Sequence, residues 1–219
     1  MSETAARRLA HMFDAVSASL ELESDRLSEL DGAIGDGDHG TTMALGFQAV
    51  RSELSKLNLD EADISTVLNT AATAFINAVG ASTGPLYATG FRRAAQATAG
   101  LNDLDLSTCA IIIEAIGVGI GERGRGQRGD KTMLDAWLPA AEAAHLAANE
   151  NQSAGEFWEK VVSAATAGAN TTRSMIATKG RAARLRERSL GHIDPGAASA
   201  IIILQAMTVL SRSDQTSIS

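Results

Sequence analysis

The chain has one cysteine, three prolines and a single tyrosine in 219 residues. With Cys109 alone in an apolar stretch there is no disulfide framework, and a reducing compartment, the cytoplasm, is the expectation. Aromatic residues make up only 4%. β-Branched runs are few and no segment alternates apolar with polar residues, so the usual material of a sheet is missing. No apolar run is long enough for a bilayer: residues 111–120 and 197–210 are too short or too interrupted, and read as buried helices. The opening MSETAARRLAHMFDAV lacks an apolar core, so no secretory leader is expected. A net charge of −7 argues against adhesion to nucleic acid or to an anionic membrane. Four histidines, with no second cysteine at metal-ligand spacing, make neither a zinc site nor an arguable Ser-His-Asp arrangement.

Alanine and leucine fill the apolar positions instead, and both favour helix. Leu9, Phe13, Val16 and Leu20 recur at helical spacing, which predicts a first helix over about 3–30. Met43, Phe47, Val50 and Leu54 predict a second, and Ile64, Val67, Leu68, Ala71 and Phe75 a third. A fourth starts at Pro85 behind Ser82-Thr83-Gly84 and a fifth at Ser107. The sixth spans about 132–149 with a kink at Pro139, the seventh about 153–178, and the eighth runs from Pro195 to Leu210. The expectation is one domain over 1–219, all-α, with a frayed tail at about 212–219.

The connections fall into two kinds. Those near 57–61, 100–106 and 150–153 are short and polar, whereas 31–40, 80–84, 121–131 and 179–196 are rich in glycine or charge. In an up-and-down bundle successive loops alternate between the two ends. The unusual four follow helices 1, 3, 5 and 7, so all four should meet at one end.

Each loop has its own chemistry. DGAIGDGDHG brings Asp31, Asp36 and Asp38 together, oxygen donors of the kind Mg²⁺ or Ca²⁺ prefers. The spacing fails the EF-hand pattern, since Thr41 stands where the loop needs Gly and Phe47 where it needs Glu. A lone GDGD reads equally as a polar turn capping a helix. The GASTGPLY loop offers Ser82 and Thr83 at a helix start, open either to a phosphate or to simple N-capping. GERGRGQRGDKTM is not a P-loop, because Asp130 separates Gly129 from Lys131 and no strand precedes it. Its Arg123, Arg125 and Arg128 supply positive charge on a glycine-rich tether. TKGRAARLRERSLGHIDPG adds a basic segment in which Arg181 suits a phosphate or a base. Carboxylates for a cation, two helix starts for phosphates and a basic loop together indicate a metal–nucleotide site. Phosphoryl transfer at such a site needs no protein nucleophile.

LDGAIGDGDHG, VGASTGPLY, RAAQAT, GDKTMLDAW and TKGRAARLRERSLGHIDPGA, in this order, resemble the ADP/ATP-binding L subunit of dihydroxyacetone kinase along nearly the whole chain. The resemblance implies an antiparallel eight-helix barrel with the nucleotide site at one end. By position it implies that Asp31, Asp36 and Asp38 hold two Mg²⁺ ions. It also implies that ADP or ATP contacts His39, Gly40, Thr41, Thr42, Ser82, Thr83, Gly124, Met133, Arg181, Asp194, Pro195 and Gly196. Two departures are small: Gly37 is Ala in some members, and Ser82-Thr83 is often Ala-Ser or Ser-Ser.

The activity so implied is transfer of the γ-phosphate of ATP to dihydroxyacetone held on a separate K subunit. ADP is recharged by a phosphotransferase M subunit or exchanged for bulk ATP. A transcription regulator is a further partner in the family, and a homodimer is compatible with the resemblance. The alternatives are a kinase subunit for another small ketose such as erythrulose, a non-catalytic nucleotide-sensing module, and a plain cation-binding helical protein.

Overall fold

A computed structural model describes residues 3–80, 82–150 and 152–214 of the chain. Nine α-helices form among them: α1 Ala5–Leu22, α2 Ser24–Ile34, α3 His39–Leu54, α4 Ile64–Ala78, α5 Thr83–Ala97, α6 Leu106–Gly124, α7 Leu134–Asn149, α8 Ala154–Thr171 and α9 Pro195–Met207. Short 3₁₀ segments cover Thr172–Ser174, Ala182–Ser189 and Thr208–Asp214. No described residue lies in a strand, and no helix is long and apolar enough to cross a membrane. The tail expected to fray over 212–219 lies mostly outside the described residues.

Neighbouring helices pack in a closed circuit, α1–α3–α4–α5–α6–α7–α8–α9 and back to α1. Eight antiparallel rods thus close into the expected barrel. α2 extends the α1 rod and packs on α3 and α9 at one end. The scarce aromatics are concentrated inside it. Phe13, Phe47, Phe75, Tyr87 and Phe91 meet at centroid distances of 5.2–6.4 Å, mostly edge to face, and Trp137 joins through Tyr87. Each such pair adds roughly 1 kcal/mol beyond the area it buries, so a few large rings fill an interior that alanine-lined helices alone would leave hollow.

The first helix, expected as one piece over 3–30, is two. The backbone leaves helical values at Glu23 (φ −96°, ψ 5°) while its N–H still bonds Ser19 O, and α2 then runs on to Ile34. No glycine or proline marks the bend. Asp31 therefore sits in the last turn of a helix and not in a loop. The seventh helix stops at Thr171 instead of 178, where a 3₁₀ turn takes over. Pro139 lies within α7, buried against α8.

Of the four helices that begin at one end of the barrel, α9 is capped by Asp194 and the other three differ from those that begin at the opposite end. α1, α4, α6 and α8 start with a side-chain cap: Thr4, Asp63, Asp105 and Ser153 each accept from the N–H three residues on. α3, α5 and α7 start at Asp38, Ser82 and Met133 with no side-chain cap bond at all. Their first-turn N–H groups are left to find partners outside their own cap residue.

Candidate functional site

The loops after α2, α4, α6 and α8 enclose one cavity of about 470 Å³, within the range of small-molecule sites. The uncapped starts of α3, α5 and α7 all open onto it, so three helix N-termini present partial positive charge to one space. Of the candidate site residues, Asp31, Asp36, Asp38, His39, Thr42, Ser82, Thr83, Gly124, Met133, Arg181, Asp194, Pro195 and Gly196 line it. Gly40 and Thr41 do not. Gly40 is buried against α2, where a Cβ would come within 1.8 Å of Ser24 O, and the Thr41 hydroxyl turns back to Asp38 O at 2.9 Å.

Asp31, Asp36 and Asp38 each offer a carboxylate oxygen within 4.8 Å of the others. Asp31 is fixed by its place in α2. Its Oδ2 accepts from the N–H groups of Asp38 (3.0 Å) and His39 (3.3 Å), and so ties α2 to the start of α3. Gly35 makes this possible, because a Cβ there would stand 2.2 Å from Asp31 Oδ1. Asp36 is ion-paired with Arg181, which reaches across from the 179–189 segment. Three anionic side chains this close repel one another, and the oxygen-only donor set suits a hard divalent cation.

Around the carboxylates the polar groups are tightly held. His39 is buried, its Nε2 2.9 Å from Ser199 Oγ. Burial lowers its pKa to about 4 against the opposing pull of Asp31, so the ring is neutral at physiological pH. Asp194 caps α9 through Ala197 N–H at 2.8 Å. Burial, with Asp135 and Asp31 acting the same way, raises its pKa to about 7, opposed by that N–H and by Lys131.

Lys131 is the residue that sequence reasoning missed. It is 1% exposed, and its ammonium donates at 2.5 Å to the carbonyls of Thr172 and His192. Burial lowers its pKa, with Arg173 adding to the effect. One side chain thus pins the 125–133 loop to both ends of the segment between α8 and α9. Asp135 supports the same loop, accepting from Gly129 N–H and Thr132 N–H, and Asp130 joins it to Thr178. The one legible signal was the run GDKTM inside a glycine-rich loop. The cavity also has an apolar lining, made by Ile34, Leu86, Ile120, Met133 and Leu134.

The chain is similar to known proteins over most of its length. The model of the DAK2 domain matches residues 33–209. The chain is 36% identical over 198 residues to the ADP-binding subunit DhaL of PEP-dependent dihydroxyacetone kinase 2 from Listeria innocua, covering 90% of this chain and 91% of that one. It is 37% identical over 190 residues to the corresponding DhaL subunit of Escherichia coli, covering 87% and 90%. Among solved structures it superposes on the dihydroxyacetone kinase of C. freundii in complex with AMP-PNP and Mg²⁺. The TM-score there is 0.71 at 27% identity, over 98% of this chain and 35% of the longer kinase.

Proposed function

The chain belongs to the DAK2 domain family, and we propose that it is the ADP/ATP-binding, phosphoryl-transferring subunit of a dihydroxyacetone-type kinase. The observation that carries this is the pairing of three uncapped helix starts with a three-carboxylate cluster on one cavity. The helix starts favour a polyanion and the carboxylates repel one, so only an anion arriving with divalent cations satisfies both.

Asp31, Asp36 and Asp38 would hold two Mg²⁺ ions. When bound, the metal supplies charge neutralisation at the phosphate oxygens. The first turns of α3 and α5, with Thr42, Ser82 and Thr83, take the phosphates. The apolar wall of Leu86, Ile120, Met133 and Leu134 takes the base, with Gly124 at its edge. Arg181 and the Asp194-Pro195-Gly196 turn close the remaining side. These residues hold the γ-phosphoryl group in line with an incoming hydroxyl and shield its charge, and none acts as a nucleophile. The acceptor, dihydroxyacetone, is presented by a separate K subunit. The two relatives above, matched over 90% and 87% of this chain and about as much of their own, are PEP-dependent ADP-binding subunits. ADP therefore stays in the site and is recharged by a phosphotransferase M subunit.

Calorimetry tests the first step: ADP should bind with Mg²⁺ and lose affinity on chelation. Failure to bind ADP in the presence of Mg²⁺ would end the reading. Mixing the chain with Mg·ADP, dihydroxyacetone, a K subunit and an M subunit recharged from phosphoenolpyruvate should then yield dihydroxyacetone phosphate, whereas binding without transfer there, and from ATP as well, would reduce the protein to a nucleotide sensor.

A further inference from the structure

Helices α3, α5, α7 and α9 begin at the site end of the barrel, and each sends one side chain to a common point beneath the cavity. His39 opens α3, Tyr87 lies in the second turn of α5, Trp137 in the first turn of α7 and Ser199 in the second turn of α9. Tyr87, Trp137 and Ser199 are fully buried, and His39 is 9% exposed. Trp137 Nε1–H donates to the Tyr87 hydroxyl at 3.4 Å, and that hydroxyl is hydrogen-bonded to Ser199. Ser199 Oγ donates to Gly196 O at 3.0 Å and lies 2.9 Å from His39 Nε2. Of the four side chains, His39 lines the cavity.

Donor chemistry fixes the direction of this chain. An indole N–H only donates, so the Tyr87 oxygen receives it and the phenol's own hydrogen goes on to Ser199. A serine hydroxyl has one hydrogen and two lone pairs. Ser199 gives its hydrogen to Gly196 O and one lone pair to Tyr87, so the lone pair that meets His39 receives a hydrogen, and Nε2 carries it. The reverse arrangement, Ser199 donating to a bare Nε2, gives up the bond to Gly196 and makes one hydrogen bond fewer in a buried place. Nδ1 is left bare. It has no hydrogen-bond partner among the described residues and is open to the cavity that the ring lines. The uncapped start of α3 sets partial positive charge beside that lone pair.

We propose that Ser199, backed by Tyr87 and Trp137, is a positioning residue that holds hydrogen on His39 Nε2 and so presents Nδ1 to the bound metal–nucleotide as an acceptor, an inference that deepens the kinase reading above and rests on it. A bare nitrogen offers nothing to an ionised phosphate oxygen, which is itself an acceptor. It takes an O–H donor instead. A metal–nucleotide carries that donor in two places, the ribose hydroxyls and the water on its cation.

Long-range ¹H–¹⁵N NMR on the full chain, labelled at histidine, reads the tautomer without requiring turnover, and a His39→Gln variant assigns the ring among the four histidines. The free protein should show His39 with hydrogen on Nε2 and none on Nδ1. Saturating Mg·ADP should shift the Nδ1 resonance and leave Nε2 protonated. An ADP analogue lacking both ribose hydroxyls separates the sources: a shift that persists assigns the donor to water on the cation, and one that vanishes assigns it to the ribose. In Ser199→Ala the buried Nε2 loses its partner while Nδ1 still opens on the cavity, so the hydrogen should move to Nδ1 in a large share of molecules. Mg·ADP affinity by calorimetry should fall about tenfold with it. A side chain that only packed would leave the tautomer unmoved. Hydrogen on Nδ1 in the wild type, an Nδ1 resonance indifferent to bound Mg·ADP, or a wild-type tautomer in Ser199→Ala overturns the proposal, and the first two need no variant to fold. A wild-type chain with the expected tautomer that binds no Mg·ADP would sink the kinase reading, and with it the ligand of Nδ1, and leave Ser199's hold on the ring standing.

Discussion

Asp38→Asn separates the two roles of the carboxylate cluster, because stability and affinity should move in opposite directions. Asp38 occupies the N-cap of α3 without a side-chain cap bond, and its carboxylate is exposed. The amide therefore breaks no hydrogen bond. It removes repulsion with Asp31 and Asp36, whose oxygens lie within 4.8 Å. At that distance each pair costs about 0.9 kcal/mol in water and about 3.5 kcal/mol at an effective dielectric constant near 20. Exposure places these side chains near the first value, and Arg181 already screens Asp36. The free protein should gain about 1 kcal/mol, a rise of about 2–4 °C in melting temperature for a chain of this size. Loss of a metal ligand should weaken Mg·ADP by about a hundredfold, about 2.7 kcal/mol. Differential scanning fluorimetry reads both effects, with and without Mg·ADP. A variant that melts lower than wild type when free, or that keeps wild-type Mg·ADP affinity, would refute the reasoning.

Lys131→Met should cost about 2–4 kcal/mol in urea unfolding, because it strands two buried carbonyls and unpins the segment before α9; wild-type stability together with wild-type resistance to trypsin within 173–188 would contradict this. The Cys109 thiol is 2% exposed and burial raises its pKa to about 12. The folded state favours the neutral thiol, so this contribution to stability is complete below about pH 9 and is lost as pH climbs towards 12. Thiol reagents at about pH 8 should label it only in denaturant, and rapid native labelling would show that the site opens. Asp63→Ala should cost about 1 kcal/mol through loss of the α4 cap, whereas Ser82→Ala, at a helix start its side chain does not cap, should stay within about 0.5 kcal/mol while weakening Mg·ADP. Equal stability losses in the two variants would erase the difference between a used and an unused cap.

The meeting of four loops at one end was legible because it depends on the parity of rods and not on their exact bounds. The unforeseen bend at Glu23 did no damage, since α1 and α2 count as one rod of the circuit. Parity carries no information about what a helix start does, however. Asp38 and Ser82 are good capping residues by type, as are Asp63 and Asp105, and local sequence gives no means of telling a used cap from an unused one. The distinction arises at Asp31, seven residues before Asp38. From α2 it takes the Asp38 and His39 N–H groups with its own Oδ2, leaving the Asp38 carboxylate free to face the cavity. Lys131 was hidden for a similar reason. A lysine in a glycine-rich loop reads as exposed, and the carbonyls that bury it come from positions 41 and 61 residues further on. Residue types and their order therefore locate the site, while the division of labour among like residues within it follows from contacts across the barrel end. That division makes the Asp38 and Ser82 substitutions informative: in each the side chain is dispensable for folding, so any loss of Mg·ADP affinity belongs to the site.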